Sequence, residues 1–344
     1  MSTPQTQHGP GPVTTSGDTR RTPDGGPLAS IGARLGRLRV ASWATAALLV
    51  AVLVVNGILQ PNILTAYGIT SLATTLLPLV LVAVAQAVVV IGGGLDLSIG
   101  AIVALSSVVA VQVMGGSDAM VPLGLLAAVG TGLAAGLANG LVVSLLRLQP
   151  LIATFATGSV FSGMALWVLP TPGGQVPGFM TGIYRQAIAG IPVALLLLAA
   201  VPASWLLLRR TPVVHHIRAV GDGPSAAFAS LVPVQRTQIA SFALAGGIGG
   251  LAGLAVLGNS GSGDPFIGAD LALSAVAAVV VGGVALRGGI GSPVGAVAGA
   301  IVLGLATNIL FFLGLPTAWR ALASGLVVIA ALALSALTAG RGER

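Results

Sequence analysis

"VVVIGGGLDLSIGAIV", residues 88–103, decides how the rest of the chain is read. Branched apolar residues run into three glycines, and a second apolar run follows from Ile99. Asp96 stands between them, and the nearest basic residues are Arg39 and Arg147. An ionised carboxylate at the centre of a bilayer costs about 2.5–3.5 kcal/mol on insertion scales. Interrupted backbone at membrane depth persists only where protein or a water-filled cavity satisfies it. The stretch therefore reads as a broken or re-entrant segment near 92–100, marked by Gly92, Gly93, Asp96, Ser98 and Gly100. Two roles are open for Asp96. It caps the helix that follows, as Asp before an apolar run commonly does, or it lies on a solute path.

The remainder of the chain supplies the membrane. Only 7 % of the 344 residues are charged and 55 % are hydrophobic, whereas soluble domains carry about 25 % charged residues. Apolar runs of the roughly 20 residues that span a bilayer recur along the sequence. They fall near 41–59, 66–91, 98–114, 121–146, 151–169, 187–208, 239–258, 271–286, 293–313 and 318–338. The expected fold is an all-α polytopic membrane protein of about ten transmembrane helices, filling a permease domain over 39–338. Residues 1–38, rich in Pro, Gly, Ser and Thr, read as a disordered cytoplasmic tail. Residues 339–344 form a short cytoplasmic one.

Arginine placement tests this topology. With both termini in the cytoplasm, thirteen of the fifteen arginines fall inside, and only Arg185 and Arg320 fall outside. Asp118, Asp264 and Asp270 are then expected in outer loops. The formal net charge of +7 is thus explained by orientation in the plasma membrane and calls for no nucleic acid. Lysine and cysteine are both absent. A phosphate-binding loop of the Gly-rich Lys-Ser/Thr type is therefore excluded, as are thiolate chemistry and Cys-based metal sites. No nucleophile elbow or metalloprotease motif occurs, and Glu343 is the sole glutamate, so no catalytic residue, metal site or bound cofactor is expected.

Internal similarity adds a second layer. "GLANGLVVSLLRLQPLIATFATG" (136–158) aligns with "GLATNILFFLGLPTAWRALASG" (304–325), and "VVVIGG" (88–93) resembles "AVVVGG" (278–283). The fourth and ninth spans run in opposite directions, so the repeat is expected to be inverted, as in many transporters. Gly132, Gly136 and Gly140, with Gly291, Gly295 and Gly299, form ladders that let helices approach closely, within a subunit or between two. Gln86, Asn139, Thr154, Thr157, Thr307 and Asn308 are polar residues within spans, and Gln86, Asn139, Thr154 and Asn308 are the candidates for lining a path; Asn139 and Asn308 hold neighbouring places in the two halves. The segment 209–238, basic at both ends, has the size of a docking loop for a cytoplasmic partner.

At these residues the chain resembles the permease subunits of bacterial monosaccharide ABC importers of the ribose, xylose and galactose type, within the branched-chain amino acid/sugar permease superfamily. "GGGLDLSIGAIVALSS", "NGLVVSLLRLQPLIATFATGSVFSGMAL" and "AVVVGGVALRGGIGSPVGAVAGAIVLG" carry the resemblance over roughly 60–338. It implies a permease homodimer in the membrane lipid, a cytoplasmic ABC ATPase subunit that holds the ATP, and an extracytoplasmic solute-binding protein. It also implies that "AVGDGPSAAFAS" (219–230) couples to the ATPase, through Gly221, Asp222, Ala226, Ala227 and Ser230. The family's usual charges are missing at Pro224, Ser225 and Phe228, and Leu231 stands where a glycine is usual. The rival reading is a secondary transporter coupled to protons or sodium through Asp96.

Overall fold

The computed structural model describes residues 45–314 and, beyond them, Trp319, Leu322, Gly325, Leu326 and Ile329, all helical. The tail over 1–38, most of the expected tenth span and the C-terminal residues lie outside the described part. In chain order the helices are α1 (Thr45–Leu59), α2 (Ala66–Ile91), α3 (Ile99–Met114), α4 (Val121–Leu145), α5 (Pro150–Val168) and the short α6 (Gly178–Arg185). There follow α7 (Val193–Leu208), α8 (Pro212–Asp222), α9 (Pro224–Ala229), α10 (Val234–Ser260), α11 (Gly268–Val281) and α12 (Pro293–Phe312). A two-stranded hairpin, β1 (Ala187–Ile188) and β2 (Ile191–Pro192), precedes α7.

By length and composition, five helices among the described residues can cross a membrane, and six if α7 and α8 count as one span bent by 83°. α2 is the centre of the bundle. It is apolar on every face, as a helix buried all round must be, and packs on α7, α10, α11 and α12. Its most apolar window is 89 % buried, against 33 % for that of α4 and 28 % for that of α5. α2, α4 and α11 end, and α10 and α12 begin, at one end of the bundle. That end, the base, also carries exposed Arg147, Arg209, Arg210, Arg218, Arg236 and Arg287.

Both glycine ladders are consumed inside the chain. A Cβ on Gly132 would stand 2.8 Å from Gly250 N, and one on Gly136 3.0 Å from the Cα of Gly246, so α4 and α10 cross backbone to backbone. A Cβ on Gly299 would lie 2.7 Å from Gly282 N, and Gly295 packs on Gly282, which joins α12 to α11 in the same way. The reading in which a ladder serves a subunit interface does not hold for these two. In a membrane such close approach replaces the hydrophobic drive that lipid cannot supply.

The chain breaks where Asp96 predicted, between Ile91 and Ile99. A second break, which the sequence reading placed in an outer loop, precedes α11: the expected span at 271–286 begins at Gly268 and ends at Val281. α3 and α11 are short, at 16 and 14 residues, and they start against each other, since Gly100 and Gly268 touch through their backbones. From that contact α3 runs to the far end, where Met114 packs at Gly124 near the start of α4, and α11 runs to the base. The two stretches entering these helices match as "DLSIGA" (96–101) and "DPFIGA" (264–269), the same offset that relates 136 to 304. Asp264 accepts from the N–H of Phe266 at 2.8 Å, as Asp96 does from that of Ser98. "VVVIGG" and "AVVVGG" instead close α2 and α11 at the same end with the same turn, Gly93 and Gly283 at φ +83° and +75°, so that pair is a shared turn and not an inverted one.

Gly136→Leu should wreck the α4/α10 crossing, at a cost of about 1–3 kcal/mol or more from overpacking. Gly130→Leu, on the same helix with nothing within 4 Å of its would-be Cβ, should be tolerated. Thermal unfolding in detergent separates them; equal melting of the two variants would contradict the crossing.

Candidate functional site

The break before α3 is held by side chains from three helices. Asp96 is fully buried. Its Oδ1 accepts from the backbone N–H of Ser98 at 2.8 Å and from the Ser98 hydroxyl at 2.6 Å. This is the two-residue reach of an Asx turn, which substitutes a side-chain acceptor for a backbone one. α3 itself starts at Ile99 with Ser98 in the cap position, and Asp96 accepts from the Ser98 N–H at the entry to the helix. It stands two residues earlier and orders the turn leading into the helix.

The network extends outward from Ser98. Asn139 Nδ2 on α4 donates to the Ser98 hydroxyl at 2.6 Å, and the Thr157 hydroxyl on α5 donates to Asn139 Oδ1 at 2.5 Å. The Leu97 N–H donates to Thr154 Oγ1 at 3.0 Å, which itself lies 3.2 Å from Leu95 O. Gln86 on α2, with its amide oriented by these partners, donates to Asp96 O at 2.9 Å and accepts from Asp96 N–H at 3.3 Å. The backbone of residues 95–97, which lies between the two helices, is thereby bonded from both sides. Gly158 lets α5 close over it, because a Cβ there would sit 3.1 Å from the Cα of Ser98.

Of the residues singled out for lining a path, Gln86, Asn139 and Thr154 converge on this network, fully buried. Asn308 does not join it: on α12 its Oδ1 is enclosed without a partner among the described residues. Thr157 completes the network. Its spacing of three from Thr154 places both on one face of α5 and was the available signal.

At the base, the segment 209–238 folds as α8, α9 and the first turn of α10. α8 buries Val214, Ile217 and Val220, and its penultimate residue is Gly221, whose missing side chain lets it wedge against Ile91 O and Gly289 N. A Cβ on Gly93 would lie 3.4 Å from Gly221 Cα, and Gly289 N–H donates to Ile91 O at 2.9 Å. The end of α8 is thus clamped between the turn that leads from α2 to α3 and the loop that leads from α11 to α12. Asp222 follows Gly221, closes α8 and is exposed. Ala227 faces inward, Ala226 outward, and Ser230 N–H closes the turn onto Ala226 and Ala227. Phe228 and Leu231 project from this cap, 74 % and 93 % exposed. Leu231 holds φ +62°, a left-handed conformation costing a branched residue about 1–2 kcal/mol and free to glycine.

Comparison with known proteins defines the class. The family model described as "Branched-chain amino acid transport system / permease component" matches residues 68–332, and the chain belongs to this family of multi-pass membrane permeases. The ribose import permease protein of Bacillus subtilis is 34 % identical over 288 residues, covering 82 % of this chain and 88 % of that one. The ribose import permease protein of Haemophilus influenzae is 29 % identical over 310 residues, covering 87 % and 94 %. The autoinducer 2 import system permease protein of Escherichia coli K12 is 29 % identical over 294 residues, covering 83 % and 89 %. No solved structure matches the chain significantly.

Asp96→Asn keeps an acceptor for the Ser98 N–H, whereas Asp96→Ala orphans it. Losing a buried acceptor costs about 1–3 kcal/mol, so the alanine variant should melt earlier than the asparagine variant. If the two melt together, the carboxylate's hydrogen bonds do not order the break.

Proposed function

We propose that the chain is the transmembrane permease subunit of an ABC importer for a small hydroxylated solute, a monosaccharide or a compound of the autoinducer 2 kind. The family match together with the base carries this reading: a helical cap with outward apolar residues is clamped by Gly221 against both half-helix connections. Import runs by alternating access, driven by ATP hydrolysis on a separate cytoplasmic subunit, with solute delivered by an extracytoplasmic binding protein. The absence of lysine fits an ATP site on another chain. Two permease copies, each of ten spans with both termini in the cytoplasm, make the membrane unit. The matched breaks at Asp96 and Asp264 and the opposed half-helices α3 and α11 support an inverted repeat.

Phe228 and Leu231 are the docking anchors. They occupy the outward side of the cap at the base of the bundle. Strain at Leu231 is the kind retained at functional positions. The exposed arginines around it offer a cationic margin to an acidic surface on the ATPase. The ion-coupled alternative assigns Asp96 a titrating role, yet its Oδ1 is bonded twice within the turn. It predicts that Asp96→Asn abolishes a proton or sodium dependence of uptake, whereas the importer reading expects none.

Gentle extraction of the tagged chain from its native membrane should co-purify a stoichiometric ATPase, and Phe228→Glu with Leu231→Glu should cut its recovery by about tenfold, equivalent to about 1.4 kcal/mol. Leu231→Gly should relieve backbone strain and raise the melting temperature while weakening capture. A chain that brings no ATPase, even after crosslinking, would sink the importer reading.

A further inference from the structure

The outer-loop position expected for Asp270 is not where the helix places it. Asp270 lies in the first turn of α11, whose 14 residues end at the base. At 1.5 Å per residue α11 rises only about 21 Å, while α2, of 26 residues and ending at the same level, rises about 39 Å. α11 therefore starts near the middle of the bundle, in agreement with the contact of Gly268 and Gly100 at the start of α3. Asp270 is nevertheless exposed, with Ala269 and with Leu273, which is 69 % exposed. A carboxylate at this depth is not presented to lipid; such groups face the interior of an assembly or a water-filled cavity.

A second observation places polar groups beside it. The close approaches of Gly295 to Gly282 and of Gly299 to Ala278 fix the antiparallel register of α12 on α11. Continued along both helices, that register sets residue 307 opposite residue 270. Thr307 is exposed there, and the next residue, Asn308, has an amide oxygen without a partner among the described residues. Two helices thus bring an exposed carboxylate and an exposed hydroxyl to one level near the middle of the bundle, while Asn308 turns its enclosed amide to the α2 side, the side of Gly304.

We propose that Asp270, flanked by Thr307, lines a water-filled solute path at mid-depth and selects uncharged polyhydroxylated solutes over anionic ones. The carboxylate accepts hydroxyl hydrogens from the passing solute and repels phosphate or carboxylate groups. This deepens the permease reading by naming a lining residue and a charge rule, and it rests on that reading only for the identity of the solute.

The chain has no cysteine, so a single introduced thiol reports without background. In lipid nanodiscs, Leu273→Cys would be treated with a cationic trimethylammonium methanethiosulfonate and with an anionic sulfonate one. Gly178→Cys serves as the exposed control and Leu126→Cys, on α4, as the lipid-facing control. The expected result is reaction at 273, with the cationic reagent preferred by about tenfold relative to position 178 in the focused field of a cleft carboxylate. Adding Asp270→Asn should remove that preference. Silence at 273 to match 126 would mean a lipid-facing surface and overturn the proposal. Equal rates for both reagents, unchanged by Asp270→Asn, would overturn the charge rule. Size-exclusion profiles confirm that each variant is folded, and ATP-driven uptake of D-ribose, where measurable, should fall in Asp270→Leu more than in Asp270→Asn. Labelling needs neither ATPase nor solute, so its failure leaves the importer reading standing, and an absent ATPase leaves the water path standing.

Discussion

A membrane helix that stops half-way must have its loose backbone groups satisfied from within, because lipid offers no hydrogen bonds. The rest of this structure depends on how that demand is met between Gly92 and Ser98. Three glycines turn the chain at the end of α2, and Asp96 then gathers the start of α3 through Ser98. Gln86 holds the Asp96 peptide from α2, and Asn139 and Thr157 lock Ser98 from α4 and α5. Each bond is individually modest, since interhelical hydrogen bonds in membranes average about 0.6 kcal/mol. Their joint effect is to fix the mutual positions of four helices at a place where the backbone cannot do so itself.

The same economy explains the glycines. Where α4 crosses α10 and α11 crosses α12, main chains approach closely enough that a methyl group has no room. Gly221 repeats the device at the base, where it joins α8 to two inter-helix turns in place of two helices. A displacement of α8 is therefore passed to the ends of α2 and α11 and to the loops that lead into α3 and α12. Those loops continue directly into half-helix α3 and full helix α12. On the proposed reading, a partner docked at α8 would reach the middle of the bundle through these backbone contacts, without any charged relay.

Much of this was legible in the residues. The break at Asp96 was readable because an unbroken apolar helix has no donors to offer a carboxylate, and three adjacent glycines let the chain turn. The glycine ladders announced close crossings, though spacing alone could not say whether their partners lay in the same chain. The second break was missed because Asp264 and Asp270 sit in a stretch with turn residues on one side, which looks like any outer loop. Its match to the first break, Asp-X-X-Ile-Gly-Ala in both, was available at the offset already seen between 136 and 304. The polar network was half visible: Asn139, Thr154 and Gln86 stood out, but only the fold brings them to one turn, and it leaves Asn308 elsewhere.

The two carboxylates near the crossing then have opposite fates for one physical reason. Asp96 is closed off by α2, α4 and α5, with Oδ1 bonded to the protein's own donors and Oδ2 enclosed without a partner among the described residues. Asp270 starts a helix whose first turns are left exposed among the described residues at Ala269, Asp270 and Leu273, so its charge is left for whatever occupies that space. Breaks that match in sequence need not share a role: the first carries its aspartate inside the bend, while the second keeps Asp264 in the bend and adds Asp270 six residues further on. That added residue, and not the conspicuous one at 96, is where this fold offers a charge to something that passes through.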